Sequence, residues 1–95
     1  MELYGWKIYY DTLDDKEVEI YGGSMSKEQI EHAQYKKEFK MYDDDETLYF
    51  RGYMSYTNHD QLGSDLEFTP LDDFGMPDSG CTEIKYLEKG EWRTL

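Results

Sequence analysis

The chain has 95 residues, 22 of them acidic and 10 basic, for a net charge of −12. A charge of that size repels duplex DNA and anionic membranes, so neither direct nucleic-acid binding nor a membrane role is expected. The one cysteine, Cys81, excludes an internal disulfide.

The length suits one compact domain over residues 1–95, with a core near the small end of what folds unaided. Ten Tyr, four Phe and two Trp must supply most of that core, and such aromatic enrichment favours sheet over helical bundle. The first residues, MELYGWKIYYD, lack the basic and apolar regions of a signal peptide. Together with the unpaired cysteine this points to the cytoplasm.

Leu3–Tyr10 alternates as a strand, with Tyr4, Trp6, Ile8 and Tyr10 on the face expected to be inward. Asp11–Lys16 is turn-like, and Glu17–Tyr21 closes a hairpin with Val18 and Ile20 inward. Asp15, Glu17 and Glu19 then fall on the opposite face, about 6–7 Å apart in succession. Gly22-Gly23 ends the strand. Ser26 reads as a helix N-cap, with Gln29 completing a capping box and Met25 and Ile30 spaced as a hydrophobic staple. The predicted helix is short and ends between Gln34 and Lys40. Lys36, Lys37 and Lys40 then complement its dipole.

Met41–Tyr56, MYDDDETLYFRGYMSY, joins dense negative charge to the most convincing strand. Asp43, Asp44, Asp45 and Glu46 form a loop. Thr47–Tyr56 is the candidate for the sheet centre, with Leu48, Phe50, Met54 and Tyr56 inward and Tyr49, Arg51, Tyr53 and Ser55 outward. Gly52, on the inner face, leaves room for a bulky neighbour such as Trp6, or marks a bulge. Thr57–Ser64 is a turn region. Asp65–Thr69 reads as a short strand with Asp65 and Glu67 outward, stopped by Pro70. Leu71–Gly80 is irregular, with Asp72 and Asp73 exposed and Leu71, Phe74 and Met76 either tucked beneath it or forming a patch. Cys81–Leu87 and Glu91–Thr94 form a terminal hairpin anchored by Trp92. Thr82, Ile84 and Tyr86 share one of its faces, and Cys81, Glu83, Lys85 and Leu87 the other. The fold class is therefore α+β: a mostly antiparallel sheet of four to six strands with one short helix packed on or beside it.

The sequence argues against catalysis and against a cofactor or metal. His32 and His59 have no second His or Cys at metal-ligand spacing. Neither the 43–46 acids nor LDDFGMPDSG fits a calcium loop. No phosphate-binding glycine motif is present. Asp78-Ser79-Gly80-Cys81 lacks a nucleophile-elbow pattern, and Cys81 reads as a small buried hydrophobe.

Binding is the better reading. Tyr49, Arg51 and Tyr53 are of the types that anchor interfaces. Acidic residues flank them: Asp15, Glu17, Glu19, Asp43, Asp44, Asp45, Glu46, Asp65, Glu67, Asp72 and Asp73. Spaced carboxylates can occupy the sites that phosphates take on a basic protein, pairing with Arg and Lys, while Tyr rings stand in for bases. In this composition the chain resembles small phage and mobile-element inhibitors of the DNA-mimic, anti-restriction and anti-CRISPR kind. No family motif accompanies the resemblance, so it assigns no residue roles. The partner it implies is a basic, nucleic-acid-handling protein such as a nuclease, bound by a monomer or small homo-oligomer. The alternatives are a small-molecule or nucleotide sponge, in which Lys36, Lys37, Lys40, Arg51 or Arg93 would assist a phosphate ligand, and an acidic accessory subunit of a larger complex.

Overall fold

The computed structural model describes residues 4–56 and 64–95, the side chains of residues 64 and 65 excepted. Six strands form one antiparallel sheet in the order β2-β1-β4-β3-β5-β6. They are β1 (Tyr4–Asp11), β2 (Lys16–Gly23), β3 (Tyr35–Tyr42), β4 (Leu48–Tyr56), β5 (Glu83–Glu88) and β6 (Glu91–Thr94). A short helix, α1 (Lys27–Glu31), joins β2 to β3. Between β4 and β5 run α2 (Ser64–Glu67), a π-helical turn (Leu71–Gly75) and α3 (Met76–Ser79). This is the expected α+β class, and β4, paired to β1 and β3, is central. Of the turn expected over Thr57–Ser64, residues 57–63, with His59, lie outside the described residues, as does the start of the first strand at Leu3, while Ser64 begins α2.

Alternation explains the inner face. Trp6 and Ile8 of β1, Phe39 and Met41 of β3, Phe50 and Met54 of β4, and Ile84 and Tyr86 of β5 are all buried there. Leu71 and Cys81 close over them from the helical segment and the approach to β5. Gly52 lets the inner face close: a Cβ there would overlap the Lys7 carbonyl and come 2.6 Å from Phe39 Cζ. The bulky neighbour is therefore Phe39, while Trp6 lies against Gly22.

Several expectations are corrected. Tyr35–Tyr42 is not the end of a helix but a strand in the middle of the sheet. The capping box at Ser26 is present, with Ser26 Oγ accepting from Gln29 N at 3.2 Å and Gln29 Oε1 accepting from Ser26 N at 2.8 Å. The helix it starts has only 5 residues. So short a helix cannot persist alone. It is held by Ile30 and Met25 packed over Gly5, on the sheet face opposite the main core. Lys36, Lys37 and Lys40 therefore lie on β3, and of the three Lys36 still meets the end of α1, its ammonium donating to Glu31 O at 2.8 Å.

Residues expected as a strand at 65–69 and as a loop at 71–80 are helical instead. Phe68, Leu71 and Phe74 recur every third residue, and all three pack on the core. The segment ends at Gly80, whose φ of +76° is the left-handed conformation that glycine supplies at a helix C-terminus.

Two bulges also reverse side-chain directions. Ile8 is opposite Gly52 and Tyr10 is opposite Arg51, so Tyr9 is the unpaired extra residue and Tyr10 turns outward. Met41 is opposite Phe50 and Tyr42 is opposite Leu48, so Tyr49 is extra. Leu48 joins the outer side with Tyr42, while Tyr49 packs against the core, the reverse of strict alternation. In the terminal hairpin Cys81 joins the inner core with Ile84 and Tyr86 instead of facing away from them. Trp92 is no buried anchor, since all of β6 is exposed.

Candidate functional site

Strand order decides where the acids go. The β1–β2 turn and the β3–β4 turn lie at the same end of the sheet, because Asp11 at the end of β1 is opposite Phe50 near the start of β4. Direct bonds join them: Thr12 N donates to Tyr49 O at 3.0 Å, and Thr12 Oγ1 donates to Leu48 O. Asp11, Asp14, Asp15, Asp43, Asp44, Asp45 and Glu46 all belong to this end, with Lys16 as the neighbouring cation.

These carboxylates divide into two kinds. Asp11 Oδ1 accepts from Leu13 N and Asp14 N, and Asp43 Oδ1 accepts from Asp45 N and Thr47 N, each about 3 Å away, so both build their own turns. The Thr47 N–H holds the Asp43 carboxyl below its ordinary range. Asp15 accepts from the Tyr10 hydroxyl, which keeps Tyr10 in its neutral form to higher pH. Asp44, Asp45 and Glu46 are exposed, and their carboxylates make no hydrogen bond or ion pair among the described residues. Asp14 has only a 3.9 Å approach from Lys16, both groups well exposed.

The remaining predicted residues scatter. Glu17 and Glu19 are exposed on the outer face of the edge strand β2, where with Lys7, Tyr9 and Val18 they line an open concavity of about 530 Å³. Asp72 and Asp73 are exposed on the layer that covers the opposite face. The side chain of Asp65 lies outside the described residues. Glu67, expected outward, is buried and engaged by Lys37 Nζ at 2.6 Å. Tyr49 lies beside the Asp43 carboxylate at the acidic end, which raises its pKa. Tyr53 is on the outer face but is not free: its hydroxyl donates to Glu31 Oε1 at 3.0 Å. Burial, then that bond, pushes Tyr53 up to about 12. Arg51 is exposed on the same face.

Glu31 collects donors that distant positions supply. Lys7 Nζ reaches the same oxygen at 3.0 Å and Tyr21 at 3.3 Å. The bond to Lys7 is the largest reason that the Glu31 carboxyl lies below its usual range. This cluster ties α1 to the outer face. Its members lie on different elements, so no local spacing announces it.

Among the described residues no group of three or more His, Cys, Asp and Glu side chains could hold a metal ion. No helix among them is long and apolar enough to cross a membrane. No protein-family model matches the chain, and neither a curated protein nor a solved structure matches it.

Proposed function

We propose that this is a non-enzymatic acidic binding protein, acting in the cytoplasm, that inhibits a basic nucleic-acid-handling protein by occupying its phosphate sites. The observation that carries this reading is the meeting of two acidic turns at one end of the sheet, with Asp14, Asp44, Asp45 and Glu46 without a strong partner among the described residues. Tight turns fix the backbone that carries these groups, so a partner's Arg and Lys side chains meet carboxylates whose spacing is limited by the turn. Such a contact forms quickly at low salt and weakens as salt screens it. The type of partner is a nuclease or other defence protein, as for anti-restriction and anti-CRISPR inhibitors.

The test is capture of purified DNA-processing and defence nucleases on the immobilised protein across a salt series. Binding should fall with salt and should be lost on joint reversal of Asp44, Asp45 and Glu46 to Lys. Reversal of Asp72 and Asp73 should matter much less. A captured nuclease that binds the 44–46 reversal equally well overturns the reading.

A further inference from the structure

At one level across the sheet, the outward side chains from β2 to β6 are Glu17, Tyr10, Arg51, Lys40, Lys85 and Thr94, each opposite the next. Arg51, Lys40 and Lys85 each lie between two buried inner-face residues, so all three project outward. Three adjacent strands thus present three cations side by side. At a strand spacing of about 4.8 Å the row spans about 10 Å.

Like charges directly opposite one another are unfavourable. Here they stand together in a chain with 22 acidic side chains against 10 basic ones. Neither Arg51 nor Lys40 makes an ion pair among the described residues. Lys85 has Glu83 Oε1, a buried oxygen without a hydrogen bond among the described residues, at 3.5 Å, so it is the one cation of the row that is partly neutralised. Aromatic rings border the row. The Lys40 ammonium is 4.3 Å from the Trp92 ring centroid, and the Lys85 ammonium is 4.8 Å from that of Tyr42. Trp92 is 37% exposed.

The row is complementary to an anion, and its limits choose the size of that anion. Glu17 stands at one end, and Glu38 and Glu83 occupy neighbouring levels on β3 and β5. A phosphate polymer would run off the row onto these acids and into the field of a protein with net charge −12. A compact polyanion meets only the three cations. We propose that Arg51, Lys40 and Lys85 form a binding site for a nucleoside polyphosphate, with the phosphates across the row and the base against Trp92. This site is separate from the acidic end and does not depend on its function.

The test is titration of the isotope-labelled protein with ATP, without metal, followed by amide shifts and by Trp fluorescence. Saturable shifts should centre on Lys40, Arg51, Lys85 and Trp92. Arg51→Glu and Lys40→Glu should each weaken binding about tenfold or more, since each removes a charge-assisted contact. Arg51→Lys should keep most of the affinity, and Lys27→Glu, the same charge change on α1, should leave it close to that of the unaltered protein. Circular dichroism shows that each variant is folded. Adenosine should not bind, and inorganic triphosphate should bind more weakly than ATP. The proposal is overturned by an absence of shifts at millimolar ATP, or by undiminished binding in both reversal variants. Equal binding of triphosphate would overturn the nucleotide class in favour of bare polyphosphate. Tighter binding of a short single-stranded oligonucleotide or an acidic peptide would overturn the compact ligand.

Discussion

Lys37 places its ammonium 2.6 Å from Glu67 Oε2, tying the centre of the sheet to the helical layer that covers it. The same nitrogen lies 2.7 Å from Glu88 Oε2 on β5, and Arg93 holds the other Glu88 oxygen at 2.7 Å. Burial alone would lower the Lys37 pKa, but the bonds to Glu67 and Glu88 outweigh it and raise it. Tyr86 adds a second tie, its hydroxyl donating to Glu67 O at 2.8 Å.

Lys37→Leu should therefore cost about 3 kcal/mol, because it leaves Glu67 buried without its counter-ion. Adding Glu67→Leu should restore much of the loss, since an apolar pair needs no desolvation of charge. Urea unfolding of the single and double variants measures both. A double variant as unstable as Lys37→Leu alone would contradict this account.

Gly52→Ala should destabilise by about 3 kcal/mol. The added methyl meets the Lys7 carbonyl, which is backbone and cannot rotate away, as well as the Phe39 ring. A second change, Phe39→Leu, should recover little, because the backbone overlap remains. Thermal melts of the two variants separate backbone from ring crowding.

Stability should be flat from about pH 5 to about pH 9 and fall on either side. Glu31, Asp43 and Glu88 have depressed pKa values, from the Lys7 bond, the Thr47 N–H and the Lys37 bond respectively. Their contribution is present above the ordinary carboxylate range and is lost as pH falls through the depressed values. Tyr53 and Cys81 are shifted the other way, chiefly by burial, to about 12 and about 11. Their contribution is complete below the ordinary values of 10.0 and 9.0 and is lost as pH rises through the shifted ones. Alkaline pH also adds charge to a protein that already carries −12, so the loss there should be the steeper. Urea midpoints across pH 3 to 12 read the profile, and a midpoint that still rises above pH 10 would refute it.

Lys89→Asn should stabilise the terminal hairpin by about 0.5 kcal/mol, or about 2–4 °C in Tm. Lys89 and Gly90 have φ values of +52° and +81°, the left-handed pair of a two-residue hairpin turn. Asn enters that region more readily than Lys. Differential scanning calorimetry detects the shift.

Much of the architecture is legible locally. The hairpins of β1–β2 and β5–β6, the strand β4 and the capping box at Ser26 follow from two-residue alternation, turn residues and cap chemistry, each read within a few positions. The burial of Cys81 follows as directly from its chemistry. β3 is hidden because Tyr35, Lys36 and Lys37 follow a true helix start, and only pairing with β4 and β5 makes the segment extended. The helical run at 64–79 is hidden by its Gly, Asp and Pro content, which its packing on Leu71 and Phe74 overrides.

The candidate sites divide in the same way. Composition alone establishes a strongly acidic chain built around an aromatic sheet, because charge count and side-chain type need no coordinates. That Arg51, Lys40 and Lys85 form one row depends on strand order and register, and the directions of Tyr10, Leu48 and Tyr49 depend on the bulges at Tyr9 and Tyr49. Those are properties of hydrogen bonds between distant segments, and a single extra residue in a strand reverses every direction beyond it.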